Sequence, residues 1–156
     1  MQTHKIWLVM ALLLAAGCAT SGGHKRMTVR IHEQVDATVP EGHWREAKIP
    51  KTELTLRVDL YPVLTERDVK MAEPFETSAG LAVMLHFDAH GMFVHEELTT
   101  RARGRYLVVF LNDRPVAARL VEQRLVHGQF LLQGDFTDDE ARKLIDDLNH
   151  MARKHG

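Results

Sequence analysis

The chain has 156 residues, which is enough for one domain and rarely for two. Its 45% apolar and 26% charged residues exclude a disordered or collagen-like protein, and a single cysteine, Cys18, excludes intramolecular disulfides and multi-cysteine metal sites. The 20 Lys and Arg against 21 Asp and Glu leave a net charge of −1, which gives no reason to expect a nucleic-acid partner.

The N-terminus has the proportions of a secretory signal. Lys5 supplies the positive charge, and the run from Ile6 to Ala16 is apolar over eleven residues. A bilayer-spanning helix needs about 20 such residues, so this run is too short to be one. The stretch Leu14-Ala15-Ala16-Gly17-Cys18 resembles the lipobox of bacterial lipoproteins, in which the cysteine thiol receives a diacylglycerol and becomes the mature N-terminus.

We therefore predict a lipoprotein signal peptide over 1–17 and a lipid on Cys18. The alternative is a plain secretory signal with an accidental cysteine. Residues 18–26 are small and polar, and the eight residues after Cys18 form a tether that extends roughly 26–29 Å. Ala19 follows the cysteine where an inner-membrane retention signal would place Asp. By resemblance to lipoprotein sorting, this favours the periplasmic face of the outer membrane.

Residues 27–60 are predicted to form N-terminal strands and a loop. Met27, Val29 and Ile31 alternate with polar residues, and the stretch from Leu54 to Leu60 does the same. The polar stretch 33–52 between them is a long loop or a hairpin.

Residues 61–156 are predicted to form a mixed strand and helix domain. The capping-box spacing of Thr65 and Asp68 predicts a short helix to about Ala72. Helices are predicted over 89–103, ending at Gly104, and from the second capping box at Thr137. The second helix carries an apolar stripe made of Ala141, Leu144, Ile145, Leu148 and Ala152. Strands are predicted over Leu81–Phe87, Tyr106–Leu111, Val116–Leu120 and Gln129–Gln133.

This order of elements predicts an α+β fold, with a mixed or antiparallel sheet and two main helices packed on one face. Tyr106–Leu111 is apolar without alternation, which is typical of a central strand covered on both faces.

No catalytic, cofactor or metal site is predicted. His86, His90 and His95 lie within ten residues, but five residues of helix turn about 500°, so His90 and His95 diverge. Solvated surface histidines are the favoured interpretation, and a metal-dependent enzyme is the weaker alternative. The serines of the mature chain, Ser21 and Ser78, lack a nucleophile motif.

The densest basic spot is formed by Arg101, Arg103 and Arg105 around Gly104. It is a candidate contact for an anionic membrane or peptide, with an ordinary polar surface as the alternative.

A series of motifs follows in nearly ungapped order between Tyr61 and Leu148. They are Pro62-Val63-Leu64-Thr65-Glu66-Arg67-Asp68, Leu81–Phe87 with Asp88 and Gly91, Thr99-Thr100, Gly104-Arg105, Leu107–Leu111, Val116 with Ala118, Gly128, Gly134-Asp135-Phe136-Thr137 and Glu140-Ala141. Together they resemble the head part of the large periplasmic domain of SecD, the accessory subunit of the bacterial protein-export machinery. The sequence departs from this pattern at three places: Asn112-Asp113 replaces the usual Asp-Gly turn, Pro115 stands at an apolar position, and Arg119 replaces a proline.

The resemblance implies a scaffold more directly than an activity. We expect a non-catalytic, lipid-anchored periplasmic module without a cofactor, which contacts polypeptides or an envelope protein complex at the membrane. The alternative is a structural or assembly accessory of an envelope complex with no affinity for unfolded chains. The proton-driven motion of SecD lies in its membrane helices, so we expect no motor activity here.

Overall fold

The computed structural model describes residues 25–155, so the predicted signal peptide, Cys18 and most of the tether lie outside the described residues. No helix of the described part has both the length and the apolar character needed to cross a membrane. The elements are β1 (Val29–Glu33), β2 (Trp44–Lys48), β3 (Thr55–Asp59), β4 (Leu64–Thr65), β5 (Val69–Thr77), β6 (Gly80–Phe87), α1 (Ala89–Arg101), β7 (Tyr106–Leu111), β8 (Arg114–Leu120), β9 (Gln129–Leu132) and α2 (Asp138–His155).

Every strand pair in this part of the chain is antiparallel. Four strands form a sheet in the order β4-β1-β7-β8, three form a sheet in the order β5-β6-β9, and β2 and β3 form a hairpin. The α+β prediction is confirmed. The hairpin also decides between the two alternatives for the stretch 33–52, because Trp44–Lys48 pairs with β3.

Strand β7 is buried on both faces, as its unbroken apolar run predicts. Leu107, Val109 and Leu111 lie in the main core between the two sheets and the helices. Val108 and Phe110 point the other way, into a second cluster that the β2–β3 hairpin covers. The alternation of a strand thus divides one apolar run between two cores.

Helix α2 buries the predicted stripe against the three-stranded sheet. Ala141, Leu144 and Leu148 are inaccessible to solvent, and Ile145 packs beside them. Its capping box is present, because Thr137 N–H donates to Glu140 Oε2 over 2.8 Å and Glu140 N–H donates to Thr137 Oγ1 over 3.2 Å. The pairing satisfies two N–H groups that a helix start leaves without partners.

The predicted helix to Ala72 is wrong. Thr65 and Asp68 do form a capping box, in which Thr65 N–H donates to Asp68 Oδ2 over 2.8 Å, but the turn it caps is a 3-10 helix of three residues that ends at Asp68. The chain then continues as β5, which pairs along its length with β6 and buries Val69 and Ala72. Pairing with a long neighbouring strand outweighs a local capping signal, which contributes only about 1 kcal/mol.

The outer edge of β5 is closed by helix α2. The Asn149 amide accepts from Ala72 N–H and donates to Ala72 O, both over 2.8 Å. Because strand residues alternate, Pro74 also turns its backbone outward, where a missing N–H costs no ladder bond. This edge therefore offers little backbone for another strand to pair with.

Candidate functional site

His95 is completely buried, so the prediction of solvated surface histidines is wrong for this residue. Its ring lies 5.3 Å from the Phe87 ring and 6.0 Å from the Phe130 ring, and neither ring nitrogen has a hydrogen-bond partner among the described residues. Burial lowers the pKa of His95 to about 4, and the positive charge of Arg119 adds a smaller decrease. The spacing of His95 from Leu98 could have indicated this burial, because residues three apart share a helix face.

The other two histidines of the cluster lie elsewhere. His90 is exposed, with Nδ1 2.9 Å from Asp68 Oδ1, and His86 Nε2 lies 2.9 Å from Glu73 Oε1 on β5. The predicted divergence of His90 from His95 is confirmed.

Asp68, Asp88 and His90 come close enough together for their ligand atoms to reach one cation. Both carboxylates already serve the local backbone. Asp68 Oδ2 accepts from Thr65 N–H, and Asp88 Oδ1 accepts from Gly91 N–H over 2.7 Å as the N-cap of α1. Two adjoining helix caps therefore account for this cluster.

The predicted basic spot is largely neutralised. Arg101 lies 2.8 Å from Glu33, and Arg105 lies 2.7 Å from Asp36 and 3.4 Å from Glu33. These acids come from β1 and the residues after it, which the sequence does not place next to the arginines. Two of the three charges are thus compensated within the fold, and the spot is a weak candidate for an anionic ligand.

A cleft of about 60 Å³ opens between α1, the end of β8 and the segment 121–128. Six of the residues that line it are His95, Thr99, Arg119, Leu120, Leu125 and Phe130. The segment is fixed to α1 by Leu125 N–H, which donates to Thr99 Oγ1 over 3.0 Å, and by an ion pair between Arg124 and Glu96. The walls of the cleft are therefore held in place.

Four large apolar side chains on α1, β8 and the segment 121–128 stay exposed, and we call them the apolar rim: Met92, Phe93, Leu120 and Val126. Leu120 also lines the cleft. Phe93 is 66% exposed, the largest value of the four. Met92 packs on Gly128, where a Cβ would lie only 2.9 Å from Met92 Cγ. The glycine lets the end of the segment 121–128 lie against Met92 on α1.

Arg119, one of the departures from the SecD pattern, lies at this cleft. Its guanidinium carbon is 5.6 Å from the centre of the Phe130 ring, the side chain is exposed, and no acid of the described chain pairs with it. Reasoning from the sequence missed this site, because its residues come from four separate elements.

The predicted resemblance to SecD is supported by comparison with known proteins. The family model described as "SecDF, P1 head subdomain" matches residues 43–150. The protein translocase subunit SecD of Calditerrivibrio nitroreducens is 27% identical over 81 residues, which are 52% of this chain and 15% of that protein. The chain thus spans a small part of that relative.

Two solved structures share the fold. A crystal structure of SecDF in a super-membrane-facing form aligns with a TM-score of 0.62 and 20% identity, over 80% of this chain and 19% of the other. A structure of SecDF, described as a membrane component that enhances protein export, aligns with a TM-score of 0.61 and 21% identity, over 80% of this chain and 63% of the other. With the family match over most of its length, this chain belongs to the SecDF P1 head subdomain family.

Proposed function

We propose that this protein is a non-catalytic accessory module that contacts polypeptide chains at a membrane, where a lipid on Cys18 holds it facing the periplasm. The observation that carries the proposal is the exposed apolar rim on a SecDF head fold, with Leu120 at the mouth of a fixed cleft. Exposed apolar groups that gather at one place are typical of surfaces that bind other proteins. The SecDF relative described as enhancing protein export supports a role in protein transport.

The chemistry of the rim suits unfolded chains. Met92 and Phe93 offer a flexible thioether and a large aromatic ring, which adapt to varied apolar side chains. Since the cleft walls are fixed by the Leu125–Thr99 hydrogen bond and the Arg124–Glu96 ion pair, little ordering is needed before a partner binds.

The grouped titratable side chains have structural roles, which supports a non-catalytic interpretation. Asp68 and Asp88 cap helices, and His95 is enclosed between aromatic rings without an acid or nucleophile bonded to it. A general base must come within hydrogen-bond reach of the substrate proton that it takes, and the His95 ring is fully buried.

Polypeptide binding is testable with the full lipidated chain purified in detergent. We expect it to bind fluorescein-labelled, reduced and alkylated α-lactalbumin, which stays unfolded, and we expect Phe93→Gln with Val126→Gln to bind at least about tenfold more weakly. Losing one buried apolar contact costs roughly 1.5–3 kcal/mol, and 1.4 kcal/mol is tenfold in affinity.

The control is Tyr61→Gln, which removes another highly exposed aromatic ring, on the connection from β3 to β4. It should bind as the unaltered protein does. No binding by the unaltered protein, or equal loss in both variants, would contradict the proposal. Co-purification of a folded envelope complex without binding to unfolded chains would favour the assembly-accessory alternative.

The lipid anchor predicts a defined mature N-terminus. Mass spectrometry of the protein from bacterial envelopes should find a chain that begins at Cys18 and carries acyl groups, and Cys18→Ser should lack them. Several buried acyl chains, at about 0.8 kcal/mol per methylene, would keep the chain in the membrane fraction. A mature chain without acyl groups that is released with soluble periplasmic proteins would show the plain secretory signal instead.

A further inference from the structure

We propose that an extended, acidic polypeptide segment binds by adding a β-strand to the outer edge of β8, pairing with the backbone of Ala118 and Leu120 beside the cleft. This inference rests on the proposed polypeptide contact and names the place and the mode of binding. Strand addition takes its affinity from main-chain hydrogen bonds and its preference from neighbouring side chains.

The direction of the β8 backbone follows from the hydrogen bonds at its end. Val121 N–H donates to Arg105 O, and Val121 O accepts from Gly104 N–H, both over 2.9 Å, so Val121 turns its backbone toward β7. Since strand residues alternate, Leu120 and Ala118 turn their N–H and C=O groups away from β7. Within residues 25–155, no strand pairs with that side of β8.

The outer edge of β8 is closed at Val116, two residues before Ala118. Val116 O accepts from Asp135 N–H over 2.8 Å, and Gly134 lies so close that a Cβ on it would be 2.4 Å from Val116 O. The segment that follows β9 therefore blocks the edge at Val116. Beyond Val116, no backbone hydrogen bond from another described segment reaches the outward groups of Ala118 and Leu120.

Three other edges of the described sheets are less suited to strand addition. Asn149 and Pro74 close β5, and β4 has only two residues, with Thr65 N–H bound to Asp68. The outer edge of β2 carries the exposed charges of Glu46 and Lys48, which are typical of edges that avoid pairing. The edge of β8 instead ends at the exposed Leu120 of the apolar rim.

The charge at the β8 edge favours an acidic segment. Arg119 lies between the two residues whose backbone is free, and its exposed guanidinium has no acid partner in the described chain. A carboxylate directly across from it on an added strand would form a cross-strand ion pair of roughly 0.2–1 kcal/mol.

The test compares variants of the full lipidated chain in binding to the same unfolded α-lactalbumin, an acidic protein. Leu120→Pro removes an outward N–H and should weaken binding about tenfold, whereas Leu120→Thr keeps that N–H and should lose less. Glu46→Pro makes the matched change on the β2 edge and should leave binding unchanged. Arg119→Glu should weaken binding severalfold at low salt and by less at high salt, because salt screens an exposed pair.

Hydrogen exchange gives a second measurement that needs no variant. Binding should slow exchange of the amide protons of Ala118 and Leu120, while those of Glu46 and Lys48 stay unchanged. If the unaltered protein binds but Leu120→Pro equals Glu46→Pro and these amides are not protected, the strand-addition proposal is wrong and the proposed function stands. If the unaltered protein does not bind, both are overturned.

Discussion

Gly134→Ala is expected to destabilise the fold by roughly 3 kcal/mol or more, because its new methyl group has no space. A Cβ at Gly134 would lie 2.4 Å from Val116 O and 3.0 Å from Ala117 Cβ. The nearest obstacle is backbone, which no rotamer change can move aside. Relief requires the β9–α2 connection to shift away from β8, and this would stretch the hydrogen bond from Asp135 N–H to Val116 O.

Urea unfolding followed by circular dichroism measures this loss, with Gly42→Ala as the control. Gly42 has a φ of +89°, and a methyl group added there would have no atom within 4 Å, so alanine meets only the left-handed backbone penalty of about 1–2 kcal/mol. If Gly134→Ala costs no more than Gly42→Ala, the close approach of the β9–α2 connection to Val116 is not as described.

The free energy of unfolding is expected to fall by about 3 kcal/mol between pH 7 and pH 4 because of His95. Its pKa is about 4 in the folded protein against 6.5 for an ordinary histidine. Above pH 6.5 the ring is neutral in both states. As the pH falls toward 4, only the unfolded chain takes up the proton, which favours unfolding by about 1.4 kcal/mol per pH unit. Below pH 4 both states are protonated and this dependence ends.

His95→Leu should remove that part of the pH dependence and leave stability at pH 7 equal or higher, because an apolar side chain of similar size replaces a ring with two unpartnered nitrogens. Burial also lowers the pKa of His32, which adds a pH dependence of the same sign that the variant keeps. The hydrogen bond from Lys51 lowers the pKa of Asp135, and the resulting pH dependence of stability lies at more acidic pH than that of His95. An unchanged slope in His95→Leu would contradict the burial of the neutral ring.

Local signals predicted most of the fold because each of them has a local cause. The capping boxes at Thr65 and Thr137, the stop at Gly104 and the Asn112-Asp113 turn all depend on residues within one turn of chain. Asn112 and Asp113 have φ values of 48° and 66°, as a tight hairpin turn requires. The burial of β7 is also predictable from its own residues, since an apolar strand without alternation must be covered on both faces.

The sequence could not reveal features that depend on distant parts of the chain. Strand β5 forms because β6 and Asn149 pair with it, whereas its own sequence contains Pro74 and a preceding capping box. The burial of His95 depends on Phe87 and Phe130, which close around it from two other strands. The neutralisation of Arg101 and Arg105 likewise depends on Glu33 and Asp36, about 70 residues earlier in the chain.

The candidate site is the clearest case of such dependence. Arg119 is a departure from the SecD pattern in the sequence. In the fold it is an exposed cation on an edge strand, without an acid partner among the described residues. The apolar rim takes residues from α1, β8 and the segment 121–128, and Gly128 is what allows that segment to contact Met92.

The central claim, that this surface contacts polypeptide chains, is tested most directly by photo-cross-linking in living bacteria. A photoreactive amino acid placed at Leu120 in the full chain should cross-link to proteins in transit through the envelope, and one placed at Glu46 should give few adducts. Equal labelling from both positions, or no polypeptide adduct from Leu120, would contradict this account.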